Sequence, residues 1–150
     1  MRKILSGITG AAICLLLSLP LHSQLIITTT ATPSTQNFNT LKATAGTSTT
    51  LPAGWKLLET GTGANTSYAS DAGSTATGNT YSYGTGTATE RAFGALRSGS
   101  VSPVLGVQIR NSTGSTITSL TITYTGEQWR CGATGRTDRL DFQYSLNATS

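Results

Sequence analysis

Imidazole and thiol chemistry are nearly missing from this sequence. Its 150 residues hold one histidine, His22, and two cysteines, Cys14 and Cys131. His22 and Cys14 both lie within the first two dozen positions. Charge is scarce as well, at 11% of the chain, with six Asp and Glu in all. These shortages exclude whole classes of mechanism. Without His in the body of the chain there is no Ser-His-Asp or Cys-His nucleophile, no His-based zinc site and no His general base. A lone Cys131 allows neither an intramolecular disulfide nor a cysteine metal cluster, and is expected as a half-buried small residue. No cofactor and no metal site are expected.

The N-terminus explains where those groups go. Met1-Arg2-Lys3 is a short positive region, residues 4–19 are apolar or small with Leu15, Leu16, Leu17 and Leu19 the most apolar, and Pro20 breaks the run. Leu21-His22-Ser23 ends on a small residue, so cleavage before Gln24 is expected. The rival is an uncleaved anchor, since the run sits near the lower edge of what spans a bilayer. Cys14 follows Ile13 inside the apolar stretch, which is not the setting of a lipidated cysteine.

Removing 23 of 150 residues leaves 127, enough for one domain with a core. Arg2 and Lys3 leave too, so eight of the ten Lys and Arg face six Asp and Glu, a net charge of +2 rather than +4. No basic stripe remains to favour nucleic acid, and no membrane contact is expected after cleavage. The predicted division is a signal peptide over 1–23, a low-complexity spacer over 24–36 and a β-sandwich module over 37–150. The chain stops soon after its last predicted strand, so that module is expected to be incomplete.

What is abundant is Thr, Ser and Gly. Thr and Ser make up close to a third of the chain, and Gly contributes 17 residues. Thr favours strands and Gly favours turns. Short strands are predicted at 55–59, near 67–69, at 81–83 and at 91–96, separated by Gly-rich connections. Alternation is clearest further on. Leu105, Val107 and Ile109 alternate with polar or small residues, as do Leu120, Ile122 and Tyr124, and then Leu140, Phe142 and Tyr144. That period of two marks strands with one buried face. A bulge at Gly126 is expected to turn Trp129 inward. Three such strands with short connections predict an antiparallel β-sandwich of jelly-roll type.

Several blocks carry a family resemblance: Phe38-Asn39-Thr40-Leu41, Leu51-Pro52-Ala53-Gly54-Trp55, Thr89-Glu90-Arg91-Ala92-Phe93-Gly94 and residues 111–120, with Tyr124-Thr125-Gly126-Glu127-Gln128-Trp129-Arg130 and residues 135–145 the most specific. Over residues 37–146 the chain resembles an N-terminal β-sandwich module of large secreted bacterial proteins. Those proteins also carry lamin-tail, extracellular nuclease or phosphatase, or immunoglobulin-like domains. The resemblance implies a non-catalytic accessory or adhesive role and brings no catalytic residue with it.

Three groups of residues are candidates for a site. Glu127, Arg130, Arg136, Asp138, Arg139 and Asp141 form the densest charge cluster. A carboxylate pair for glycoside hydrolysis needs two carboxyl groups about 5 to 9 Å apart. Three arginines among three carboxylates would lower carboxyl pKa values, so a structural cross-strand ion-pair cluster is the expectation. Tyr81 and Tyr83, two apart on one strand face, are candidates with Trp129 for stacking on a sugar ring, with Trp55 and Tyr68 as further aromatics; core packing is the plainer reading. Asn65, Asp71 and Asn79 supply too little charge for calcium. The function expected is therefore a secreted, non-catalytic contact module whose partners are polysaccharide or other domains of the same parent. The rival is the N-terminal part of a secreted hydrolase whose catalytic domain lies beyond residue 150, and a plain surface-coat protein is the third reading.

Overall fold

A computed structural model of the chain describes residues 23–135 and 137–147. The expected signal peptide, apart from Ser23, lies outside the described residues. Among those residues the chain forms eight strands and no helix: β1 (Leu25–Ile27), β2 (Thr47–Ser48), β3 (Trp55–Thr60), β4 (Tyr68–Asp71), β5 (Asn79–Tyr83), β6 (Ala92–Leu96), β7 (Ser102–Val107) and β8 (Ile109–Asn111). The protein is all-β, with strands in the order β2-β4-β5-β6 in one sheet, β3-β7 in a second and β1-β8 in a third.

Period-two patterning explains how the first two sheets face each other. β3 and β7 pair antiparallel from Trp55 opposite Val107 to Thr60 opposite Ser102. Trp55, Leu57 and Glu59 therefore share one face with Val107, Leu105 and Pro103. Leu58 and Val104, opposite one another on the other face, are exposed. On the larger sheet, Tyr68, Thr80 and Ala95 are lateral neighbours, as are Ser70, Ser82 and Phe93. That face meets β3. Trp55 and Phe93 approach edge to face at 6.2 Å, as do Tyr68 and Phe93.

Phe38 closes this aromatic cluster, 4.6 Å from Trp55 and 5.4 Å from Phe93. Its φ of 60° is a left-handed conformation that costs a bulky residue roughly 1–2 kcal/mol. Aromatic pairs return about 0.5–1.5 kcal/mol each beyond their buried area, so the packing holds the strained backbone. Nearby, Leu41 is buried and its amide donates to the Phe38 carbonyl.

Three expectations are corrected. First, the stretch assigned to a spacer over 24–36 begins with a strand: Leu25–Ile27 pairs in parallel with Ile109–Asn111. Gly54 makes this possible. Its φ is +81°, and a Cβ there would run into the Leu25 amide nitrogen and meet the Gln108 carbonyl oxygen at 3.0 Å. The Leu25 amide donates to the Gln108 carbonyl and the Gln108 amide to the Gly54 carbonyl, both at 2.9 Å. The run predicted through Leu105, Val107 and Ile109 thus breaks at Gln108, leaving β3 and continuing beside β1.

Second, pairing is mixed rather than purely antiparallel, because β4 and β5 also run parallel. The return from Asp71 to Asn79 uses only residues 72–78. Seven residues reach roughly 23 Å, enough to span a four-residue strand of about 13 Å. Small side chains and an internally bonded Asp71 suit this short return.

Third, the alternating segments 118–125 and 140–144 form no strand among the described residues. Leu120, Ile122 and Tyr124 are 51%, 49% and 62% exposed, and Leu140, Phe142 and Tyr144 are 79%, 59% and 81% exposed. Alternation selects which side chains share a face. It does not supply a neighbouring backbone, and no ladder partner is present for either segment.

Candidate functional site

The central strand β5 separates two environments. On the face toward β3, Thr80 and Ser82 are fully buried, and each binds a buried charge. The Thr80 amide and hydroxyl donate to Glu59 Oε1 at 2.7 and 2.8 Å. The amide and side-chain nitrogen of Asn65 donate to Oε2 at 3.1 and 3.0 Å. Four donors thus hold one carboxylate, tying β3 to β5 and to the loop between β3 and β4. Asn65 also donates to Asn79 Oδ1 at 3.0 Å.

Two residues along the same face sits Arg91, 1% exposed. Its Nε donates to Ser82 Oγ at 2.9 Å, and Nη2 donates to Ser70 Oγ at 2.9 Å and to the Ser82 carbonyl. Ser70 in turn donates to the Ala43 carbonyl, and the Arg91 amide donates to Asn39 Oδ1. Burial lowers the guanidinium pKa from its ordinary value, with Glu90 and Tyr68 opposing that shift. Nη1 is buried without a hydrogen-bond partner, against Gly84, where a Cβ would collide with the guanidinium. Neither Glu59 nor Arg91 was singled out by sequence patterning, because charged residues are rarely buried. A signal was there: Glu59 shares parity with Trp55 and Leu57, and Arg91 shares parity with Phe93.

The opposite face of β5 carries the aromatics. Tyr81 and Tyr83 do share one face, with ring centroids 5.2 Å apart at 35°. They are 3% and 6% exposed, so these two rings offer no open stacking surface. Trp129 lies over Tyr83, its ring parallel within 7° at 6.0 Å, and is half-buried. Trp129 thus turns inward, but without the bulge expected at Gly126, since no strand surrounds it. The Tyr83 phenol is pushed up to about 12, first by burial and then by Tyr81 and Asp71, against a lowering by Arg130. Tyr81 is raised mainly by burial, and its hydroxyl donates to the Thr77 carbonyl at 2.7 Å. Trp55 and Tyr68 belong to the core cluster described above.

Trp129 is seated by its surroundings. Its indole nitrogen donates to Glu127 Oε2 at 2.8 Å, and Arg130 Nη1 donates to the Ser74 carbonyl at 2.9 Å. The Trp129 carbonyl sits where a Cβ on Gly73 would stand, and Gly73 has φ of +86°. That receiving loop is shaped by Asp71. Oδ2 accepts the Gly73 and Thr75 amides at 2.7 and 3.3 Å, and Oδ1 accepts the Thr75 and Ser74 hydroxyls at 2.7 and 3.3 Å. Burial works to raise the Asp71 pKa, but these hydrogen bonds outweigh it and hold the carboxyl below its ordinary value.

The predicted charge cluster does not assemble among the described residues. Arg139 and Asp141 pair at 2.8 Å, both well exposed and two residues apart. Asp138 accepts from the Gln128 side chain at 3.3 Å, while Glu127 and Arg130 are engaged as above. Arg136 lies outside the described residues. Cross-strand ion pairs need a ladder to set their register, and neither segment has one. Asn65 and Asn79 meet at one end of β5, and Asp71 pairs with Tyr83 at the other. No group of three or more His, Cys, Asp or Glu is placed to hold a metal among the described residues. Cys131 is exposed rather than half-buried. No helix among these residues is long and apolar enough to cross a membrane.

No family model, characterised protein or solved structure matches the chain.

Proposed function

We propose that this chain is a secreted, non-catalytic β-module that works by contact, within a larger extracellular or cell-surface protein and with the layered, jelly-roll type of sandwich. The observation that carries the reading is the use made of the charges in the folded body. Glu59 accepts four hydrogen bonds from β5 and a loop, Asp71 accepts four from its own loop, and Arg91 binds two strands. Carboxylates committed in this way shape backbone. The expected export signal and the resemblance to accessory modules point the same way. The partners proposed for it are polysaccharide chains and neighbouring domains of the parent. Assays of the purified chain against nucleic acid, phosphate-ester and polysaccharide substrates test the reading. No turnover is expected, and hydrolysis at ordinary enzyme rates that is lost in Glu59→Gln or Asp71→Asn would overturn it.

A further inference from the structure

Trp129 occupies the aromatic face of β5 by stacking on one of its rings. Its ring is parallel to Tyr83, which Tyr81 backs at 5.2 Å. Beside the stack, the Ser74 carbonyl takes a hydrogen bond from Arg130. A ring face resting on an aromatic, with a hydrogen-bond donor on a neighbouring carbonyl, is also what a pyranose presents: an apolar C–H face edged with hydroxyls.

What holds the strap is limited. Glu127 and Gln128 before Trp129, and Cys131 after it, are exposed, and the described residues of 116–147 contain no strand. The strap is attached by the Tyr83 stack, the niche at Gly73 and the Arg130 hydrogen bond. The Glu127 bond to the indole nitrogen lies within the strap itself and moves with it. By contrast, Tyr81 and Tyr83 belong to a strand paired on both sides.

We infer that residues 127–130 are a displaceable cover, and that the Tyr83 ring, backed by Tyr81, and the Ser74 carbonyl form a latent binding site for a pyranose ring of a polysaccharide. The inference rests on the contact reading above and deepens it, because Trp129 acts as cover and not as the sugar-binding ring. A cover lowers apparent affinity by the fraction of time the site is open, so removing it strengthens binding.

Binding of the full chain to an array of immobilised glycans tests this. Trp129→Ala is expected to bind its preferred glycan about fivefold more tightly than wild type. Gly73→Ala, which pushes the Trp129 carbonyl away while keeping both rings, is expected to gain in the same sense. Adding Tyr83→Ala to Trp129→Ala is expected to remove the gain. Circular dichroism of each variant confirms that the β-structure is retained. Weaker binding by Trp129→Ala than by wild type would overturn the cover while leaving the contact reading standing, with Trp129 as the contact. No glycan bound by any folded variant would overturn the latent site, and the hydrolysis assays would then judge the non-catalytic reading alone.

Discussion

The same alternating code meets two fates in this molecule. In the body, residues 25–111, Tyr81 and Tyr83 sit two apart on a strand flanked by β4 and β6 and are almost completely buried. In the arm, residues 116–147, Leu120, Ile122 and Tyr124 carry as regular a pattern and remain about half exposed or more. Burial follows pairing. Neighbouring backbones fix the plane on which alternate side chains can be covered, and without them the pattern has no core to address. Only at Trp129 and Arg130 do the described contacts hold the arm to the body through side chains.

Substitutions can break this contrast at graded points. The largest effect is expected at Glu59. Glu59→Ala leaves the Thr80 amide and hydroxyl and the Asn65 donors without their acceptor, at about 3–5 kcal/mol by urea unfolding. Glu59→Gln, which keeps the carbonyl oxygen, should lose less. Gly54→Ala is expected to cost about 2 kcal/mol, because it combines strain at positive φ with a collision at Leu25. Hydrogen exchange should show β1 released while the β3–β7 ladder stays protected.

Smaller effects mark the boundary between the regions. Trp129→Ala is expected to lower stability by about 1 kcal/mol, the scale of one aromatic contact, with unfolding of the body otherwise unchanged. Acid adds a weaker effect of definite sign. Asp71 titrates below its ordinary 3.8 when folded, so its contribution is present above that value and is lost as pH falls through the lower folded value. Urea midpoints measured downward from about pH 5 should fall for wild type, and Asp71→Asn should flatten that part of the decline. Within the arm, Ile122→Ser is expected to change body stability by no more than about 0.5 kcal/mol. A cost as large as that of a core truncation would mean that the arm is packed.

Much of the body was readable from patterning. β3, β5 and β6 fall where Trp55, the Tyr81–Tyr83 pair and Phe93 placed them, each bounded by Gly-rich turns. Leu25–Ile27 was not readable as a strand, because three apolar residues before a Thr-rich run carry no period and their partner lies more than eighty residues away. Parallel pairing of β4 and β5 was hidden in the same way, since nothing local in residues 72–78 encodes a crossover. At the candidate site, the aromatics Tyr81, Tyr83 and Trp129 were legible, but their mutual burial was not. Buried Glu59 and Arg91 were missed because composition treats charge as surface. The ion-pair cluster failed for a related reason: spacing showed charges that would meet across a ladder, and the ladder was assumed.

Residue-resolved hydrogen exchange on the purified chain tests the central contrast most directly. Slow amides are expected in β3, β5 and β7, and fast amides across 118–125 and 140–146, including those under Leu120, Ile122, Leu140 and Phe142. Protection of those arm amides equal to that of the body would contradict the account and show that the arm is paired within the fold.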